Sequence, residues 1–228
     1  MHVEWYGQSS FALGDGSTTV FIDPFGDMSA ALSAARRGIE WSYPPITGVD
    51  ADLVLVTHEH LDHNAVEVIG GSPAVLRSTA GRLESPLGEV LAVASEHDEA
   101  AGTERGPNTI FAFDFDGARV CHFGDFGQSD LRPEQEAALG SVDLLFIPVG
   151  AGPTIGAAAA ADVARRLGAR WVVPMHYRTA RINFLEPADE FLGLMPDVRA
   201  FDEPRFDTSL LGGDGGSGGP IAVVPAAP

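Results

Sequence analysis

Short apolar, β-branched runs recur along the chain: VEWYG from residue 3, TTVFIDP from 18, LVLVTH from 53, EVLAVAS from 89, TIFAFDF from 109, ARVCHFGD from 118, VDLLFIPVG from 142 and RWVVPMHY from 170. Several are bounded by Gly, Pro, Asp or Asn, and such runs predict strands. TIFAFDFDGARVCHF reads as a hairpin turning at Asp116-Gly117, a pair suited to a tight turn with positive φ. Helical stretches fall between the later strands. RPEQEAALG has Pro133 near its start and Gly140 at its end. IGAAAAADVARRLGA is Ala-rich and stops at Gly168, and MSAALSAARRG, residues 28–38, is a third candidate. Strands dominate the first half and alternate with helices in the second. The class is α/β, with sheet in the middle and helices outside.

At 228 residues the chain can bury one sizeable core. The segment GGDGGSGGPIAVVPAAP at the C-terminal side differs in composition from the rest. Gly, Ser and Pro bury little surface, so residues 1–211 are read as one domain and 212–228 as a flexible tail. No run approaches the roughly 18 apolar residues of a membrane span. The start lacks the basic and apolar regions of an export signal, and the single cysteine, Cys121, fits a reducing compartment. A cytoplasmic protein is expected. Cys121 lies mid-strand and reads as a small core residue.

Charge narrows the function. There are 32 acids against 14 bases, a formal net charge of −18, and every base other than histidine is arginine. Nucleic-acid binding draws on Lys and Arg set against phosphates, so this chain is a poor candidate for it. The expected partner is a small-molecule substrate, and the oligomeric state stays open.

Three of the seven histidines fall within VTHEHLDHNAV, residues 56–66, as His58-x-His60-x-Asp62-His63. The cluster begins where a buried-type strand ends, which is where α/β proteins place their sites. Alternate side chains of a strand share a face, so His58 and His60 point together, and the following turn brings Asp62 and His63 near. Three adjacent imidazoles are costly to bury unpaired. One zinc takes about four ligands in total, so the cluster reads as shared between two ions. Three more strand ends offer ligands: His97, Asp125 and His176. Each alone reads as a hydrogen-bonded loop residue, and beside the cluster each becomes a candidate ligand. Seven N/O donors without thiolate suit zinc first, and manganese or iron second. His122, three residues before Asp125, is either a supporting partner of the metals or an ordinary strand histidine. Arg105 and Asn108, in GTERGPNTI, are candidates for a substrate's phosphate or carboxylate; the alternative for Arg105 is an ion pair among the many acids. Tyr43, in SYPPITG, is a candidate from a rim loop.

THEHLDH, the isolated His97, GD at Asp125 and PMHY at His176 resemble, in their order, the metal motifs of the metallo-β-lactamase superfamily. IDPF, RGPNTIFAF, CHFGD and IPVG look like the branch that includes ascorbate-6-phosphate lactonase and zinc-dependent hydrolases. The resemblance implies a four-layer αββα sandwich with a dinuclear site at one edge. His58, His60 and His97 would hold one metal, Asp62, His63 and His176 the other, and Asp125 would bridge them. His60 stands where the oxygen-reducing flavodiiron branch carries an acid, which argues against that branch. Relatives often read Gly-His-Ser near the N-terminus, where this chain has Gly7-Gln8-Ser9.

Two such ions, about 3.5–4 Å apart, share a water and lower its pKa toward neutrality. The resulting hydroxide would attack a carbonyl or phosphorus, with Asp62 orienting it or passing a proton. The expectation is a hydrolase of a small ester-type substrate, either a lactone or a phosphoester. The alternatives are a nucleic-acid phosphodiesterase, which the charge opposes, and a non-catalytic metal-binding scaffold, which the complete set of seven ligands opposes. β-Lactamase activity itself needs export and is not expected.

Overall fold

The computed structural model describes residues 1–29, 32, 38–212 and 219–228. The described residues form two β-sheets, one of six strands and one of eight. The first sheet contains β1 (His2–Gly7), β2 (Ser10–Gly14), β3 (Thr19–Ile22), β4 (Leu53–Val56), β5 (Ala74–Arg77) and β13 (Arg205–Asp207) in the order β13-β1-β2-β3-β4-β5. The second contains β6 (Gly81–Ser85), β7 (Gly88–Glu96), β8 (Pro107–Phe115), β9 (Ala118–His122), β10 (Leu144–Pro148), β11 (Trp171–Met175), β12 (Asp197–Ala200) and β14 (Ile221–Val224). Its order is β12-β14-β11-β10-β9-β8-β7-β6.

Alternation along the strands decides what lies between the sheets. Val3, Trp5, Phe11, Leu13, Val20, Ile22, Leu53 and Leu55 of the first sheet join Val90, Phe111, Phe113, Val120, Phe146 and Val172 of the second in one buried cluster. The intervening residues of the first sheet, Ala12, Phe21, Val54 and Val56, face outward under Phe25, Tyr43, Ile46, Ile182 and Leu185. Strands β10 and β11 are buried at every position, as a parallel sheet covered on both faces requires. Helix α1 (Pro133–Leu139) packs on β7, and α2 (Ala157–Arg166) packs on β10 and on α3 (Asp189–Leu194). This is the expected sandwich of two sheets with helices outside. The helix expected over residues 28–38 falls mostly outside the described residues.

The hairpin of β8 and β9 turns at Asp116 and Gly117, with φ of 50° and 76°. Helix α1 begins at Pro133 and ends against Gly140, whose φ is 65°. Cys121 is buried in the core, where burial pushes its thiol up well beyond the usual range.

The domain boundary needs correction. Residues 221–224 are not a tail: β14 runs parallel between β11 and β12, pairing Ile221 with both Trp171 and Asp197. Ala222 and Val223 are completely buried. The Gly-rich composition before Pro220 masked a short apolar run whose place is set by its partners. Among the described residues no helix is long and apolar enough to cross a membrane.

Candidate metal centre

The cluster forms where strands of both sheets end along one edge. His58, His60, Asp62 and His63 follow β4 of the first sheet. His97 follows β7, Asp125 follows β9 and His176 follows β11, all in the second sheet. The structure therefore brings all four segments, and all seven candidate ligands, to one place. His58 Nε2 is 3.0 Å from His60 Nδ1, and ligating atoms of His58, His60 and His97 all lie within 4.8 Å of one another. The same limit holds for His58, His63 and Asp125. Asp125 Oδ2 is the common neighbour: it lies 3.3 Å from His63 Nε2, 3.2 Å from His97 Nε2 and 3.2 Å from His176 Nε2. Asp62 Oδ2 approaches His63 Nε2 at 3.6 Å.

The far side of most of these rings is tied down. His58 Nδ1 meets the Thr57 hydroxyl at 3.0 Å, and that hydroxyl donates to Asp23 Oδ2 at 2.8 Å. His63 Nδ1 meets the same Oδ2 at 2.9 Å, and the Thr57 amide donates to Asp23 Oδ1 at 2.8 Å. His97 Nδ1 donates to the Pro153 carbonyl at 3.0 Å. With Nδ1 engaged away from the centre, Nε2 of His58, His63 and His97 faces inward and is the atom that a metal would take from each. Asp125 Oδ1 is held by the Ser9 hydroxyl at 3.0 Å. Gly124, at φ 57°, carries the chain to Asp125 through a gap where a Cβ would lie 2.4 Å from Asn108 Oδ1 and 2.7 Å from Thr57.

The charges follow from burial and proximity. Burial, with His63 next, lowers His58 to about 2, so its ring stays neutral. Burial opposes a charge on His63 too, but Asp125, Asp62 and Asp23 together raise it well above the ordinary imidazole value. Burial likewise disfavours the Asp125 carboxylate, yet His176 and His63 hold it well below the usual range. Asp62, about a quarter exposed (23%), is lowered to about 2 by His63 against its own burial.

Asp23 was not among the residues expected at the site. It is fully buried, and it supports two imidazoles at once, His63 directly and His58 through the Thr57 hydroxyl. Its signal was visible in IDPF, an acid ending an apolar run in the same way as the candidate ligands. The structure commits the polar atoms of Asn108 to partners within the protein. It is buried, its amide donates at 2.8 Å to both Ser95 Oγ and the Phe123 carbonyl, and its Oδ1 accepts the Asp125 amide at 3.1 Å. The assignment of Asn108 to substrate is thereby corrected: it builds the loop that presents Asp125. His122 is buried, accepts the Gly124 amide on Nδ1 at 3.1 Å and donates from Nε2 to the Ser9 carbonyl at 2.9 Å. It thus links the Ser9 and Asp125 segments without pointing a free nitrogen at the cluster.

Arg105 is exposed, and among the described residues its guanidinium makes no ion pair, contrary to the ion-paired alternative. It lines a polar cleft of about 400 Å³ beside His97, with Asp98, Glu104 and Thr154. Tyr43 is buried, with its ring over Gly7 and its hydroxyl 3.1 Å from Thr179 Oγ1, three residues beyond His176. Its other side lines a cavity of about 390 Å³ with Phe25, Met28, Trp41, Ile46 and Val68.

A divalent cation fits this donor set. Several ring nitrogens and two carboxylates converge on a small buried volume, and among the described residues His63 Nε2 has no hydrogen-bond partner there. The convergence of so many lone pairs is costly without a positive charge between them, and N/O donors of this kind suit zinc, manganese or iron.

Comparison with known proteins agrees. Residues 2–176 match the model of the beta-lactamase superfamily domain. A UPF0173 metal-dependent hydrolase of Methanoregula boonei is 31% identical over 202 residues, spanning 78% of this chain and 83% of the relative. Another of the same name, from Geobacillus thermodenitrificans, is 29% identical over 226 residues, spanning 86% and 93%. The crystal structure of a candidate Zn-dependent hydrolase of the metallo-beta-lactamase superfamily from Thermotoga maritima superposes with a TM-score of 0.73 at 28% identity, covering 98% of each chain. With the family model spanning residues 2–176 and these relatives in agreement, the chain belongs to the metallo-β-lactamase superfamily of metal-dependent hydrolases.

Proposed function

We propose that this hydrolase cleaves a small ester-type substrate, a lactone or a phosphoester, at a dinuclear centre. The observation that carries the reading is the position of Asp125 Oδ2, within 3.3 Å of ring nitrogens from both halves of the cluster. His58, His60 and His97 would hold one ion, Asp62, His63 and His176 the other, with Asp125 common to both. Zinc is the first expectation, manganese or iron the second. When bound, the two ions supply an activated water and polarise the oxygen of the scissile bond.

The chain's own groups do the rest. Asp23 and Thr57 fix the proton of His58 and His63 on Nδ1, and Pro153 does so for His97. Asp62 stays ionised at neutral pH and is partly open to solvent, so its carboxylate can accept a hydrogen bond from the attacking water and orient it. The aromatic-lined cavity beside Tyr43 continues from the Asp23 segment, and the Tyr43 hydroxyl reaches Thr179 on the segment that follows His176. It suits an apolar substituent of the substrate. Arg105, free on the His97 side, suits an anionic one. A net charge of −18 weighs against a nucleic-acid substrate.

The test combines elemental analysis with turnover. The wild type and Asp125→Ala are analysed for metals per chain, then assayed on bis(p-nitrophenyl) phosphate and a lactone panel. Roughly two metals per chain in the wild type, with metal and activity both lost in the variant, is expected. One metal or fewer per chain and no turnover after reloading with zinc or manganese would overturn the two-metal hydrolase and favour a scaffold.

A further inference from the structure

Three rings of the cluster have a protein partner for the nitrogen that turns away from it. His176 differs. Its Nε2 faces Asp125 Oδ2 at 3.2 Å, while its Nδ1 is buried with no hydrogen-bond partner among the described residues. The backbone beside it leads to a second anomaly. The His176 amide approaches the Gln8 carbonyl at 3.4 Å, and that carbonyl also accepts from Trp5 Nε1 at 3.0 Å. Gln8 is completely buried at φ 49°, a left-handed conformation that costs a non-glycine residue free energy. Among the described residues neither its Oε1 nor its Nε2 has a hydrogen-bond partner. A buried amide left unpaired costs about 1–3 kcal/mol, and native structures pair such groups with protein or ordered water. Two unmatched groups, one acceptor-rich and one needing an acceptor, lie on segments joined backbone to backbone.

We propose that Gln8 is a positioning residue for His176. Its carboxamide oxygen takes the Nδ1 proton of His176 through one ordered water. That link holds the ring in the Nδ1–H tautomer and keeps the Nε2 lone pair on the metal side. A carboxamide does this without a charge of its own, so the link is insensitive to pH in the range where an imidazole at residue 8 would titrate. The inference rests on the reading of His176 as a ligand.

The test reads the tautomer directly. Long-range ¹H–¹⁵N spectra of the histidine rings are recorded for the wild type, Gln8→Met and Gln8→Glu, metal-free and zinc-loaded, alongside zinc affinity from competition with a chelator. In the wild type His176 shows a slowly exchanging proton on Nδ1. Gln8→Met, close in size but without an acceptor, loses that protection and binds the more weakly held zinc roughly 10–100-fold less tightly. Gln8→Glu, which restores an acceptor, keeps the proton. An unchanged His176 signal and unchanged affinity in a folded Gln8→Met protein would overturn the proposal. Should Gln8→Met not fold, the wild type alone decides, since a proton on Nε2 of His176 in the metal-free protein contradicts the link. Failure of the wild type to bind a second zinc, with His176 still protonated on Nδ1, would sink the ligand reading but not the hydrogen bond.

Discussion

Asp23→Asn separates the chemistry of the metal centre from its shape. The carboxylate is saturated: Oδ1 accepts the Thr57 amide, and Oδ2 accepts both the Thr57 hydroxyl and His63 Nδ1–H. Asparagine fills the same volume. Its Oδ1 keeps the Thr57 amide, which places the NH₂ group against His63. Two donors then face each other unless His63 moves its proton to Nε2, the atom 3.3 Å from Asp125 Oδ2. In that tautomer His63 cannot bind a metal. The variant also removes one of the negative charges that raise His63. Exchanging two charge-assisted hydrogen bonds for neutral ones costs about 1 kcal/mol each. For a chain of this size, about 2 kcal/mol lowers Tm by roughly 4–8 °C. Metal affinity should fall further in proportion, roughly 10–100-fold, because the support of a ligand is lost. Chelator competition and calorimetry on one preparation measure both. A variant with the expected loss of Tm but zinc affinity within about threefold of wild type would refute the tautomer argument and leave Asp23 a purely structural residue.

Asn108→Ala should leave Ser95, the Phe123 carbonyl and the Asp125 amide short of partners, at roughly 1–3 kcal/mol for each buried group unpaired. Thermal melts should show the loss, while KM of the surviving enzyme stays near wild type; a raised KM with an unchanged Tm would return Asn108 to the substrate. Deleting residues 213–228 removes β14 and exposes its partners β11 and β12. The buried Val223 and Ile221 alone contribute about 1.5–3 kcal/mol each, so the shortened chain should melt far lower or collect in the insoluble fraction, and an unchanged melting curve would contradict the placement of the strand. His122 has its folded pKa depressed by burial, so its contribution to stability is present above the unfolded value near 6.5 and is lost as pH falls below it. Calorimetry of the metal-free protein from pH 7.5 to 5.5 should show a steeper loss of Tm for wild type than for His122→Gln, and parallel curves would rule that contribution out.

The runs that predicted strands became β1, β3, β4 and β7 through β11 because each carries enough apolar, β-branched surface to be recognised without its neighbours. The strands left unread lack that surface or sit in misleading surroundings. In β5 and β6, AVLR and GRLES, all positions are exposed or half-buried, so their pairing rests on backbone hydrogen bonds rather than on a buried face. β14 follows a Gly-rich stretch, and local composition outweighed the four apolar residues that its neighbours order. At the site, the histidines were legible because their density has no cheap structural explanation. The roles of Asp23 and Asn108 were not, although IDPF and RGPN stood out in the sequence, since a single buried acid or amide takes on its role only once its partners are seen to come from distant segments.

The placing of β14 and the pairing of β1 with β13 also fix an order of events during synthesis. Val3 of β1 faces Phe206 of β13, and β11 and β12 are joined only when residues 221–224 lie between them. Residues 205–207 and 221–224 must therefore be made before the two sheets can close. Contacts between residues so far apart in sequence form slowly, and unpaired strand edges in a partly made chain invite association with other chains. All seven candidate ligands, the last of them His176, precede in sequence the strands that lock the sandwich, so they are made before the frame that gathers them can close.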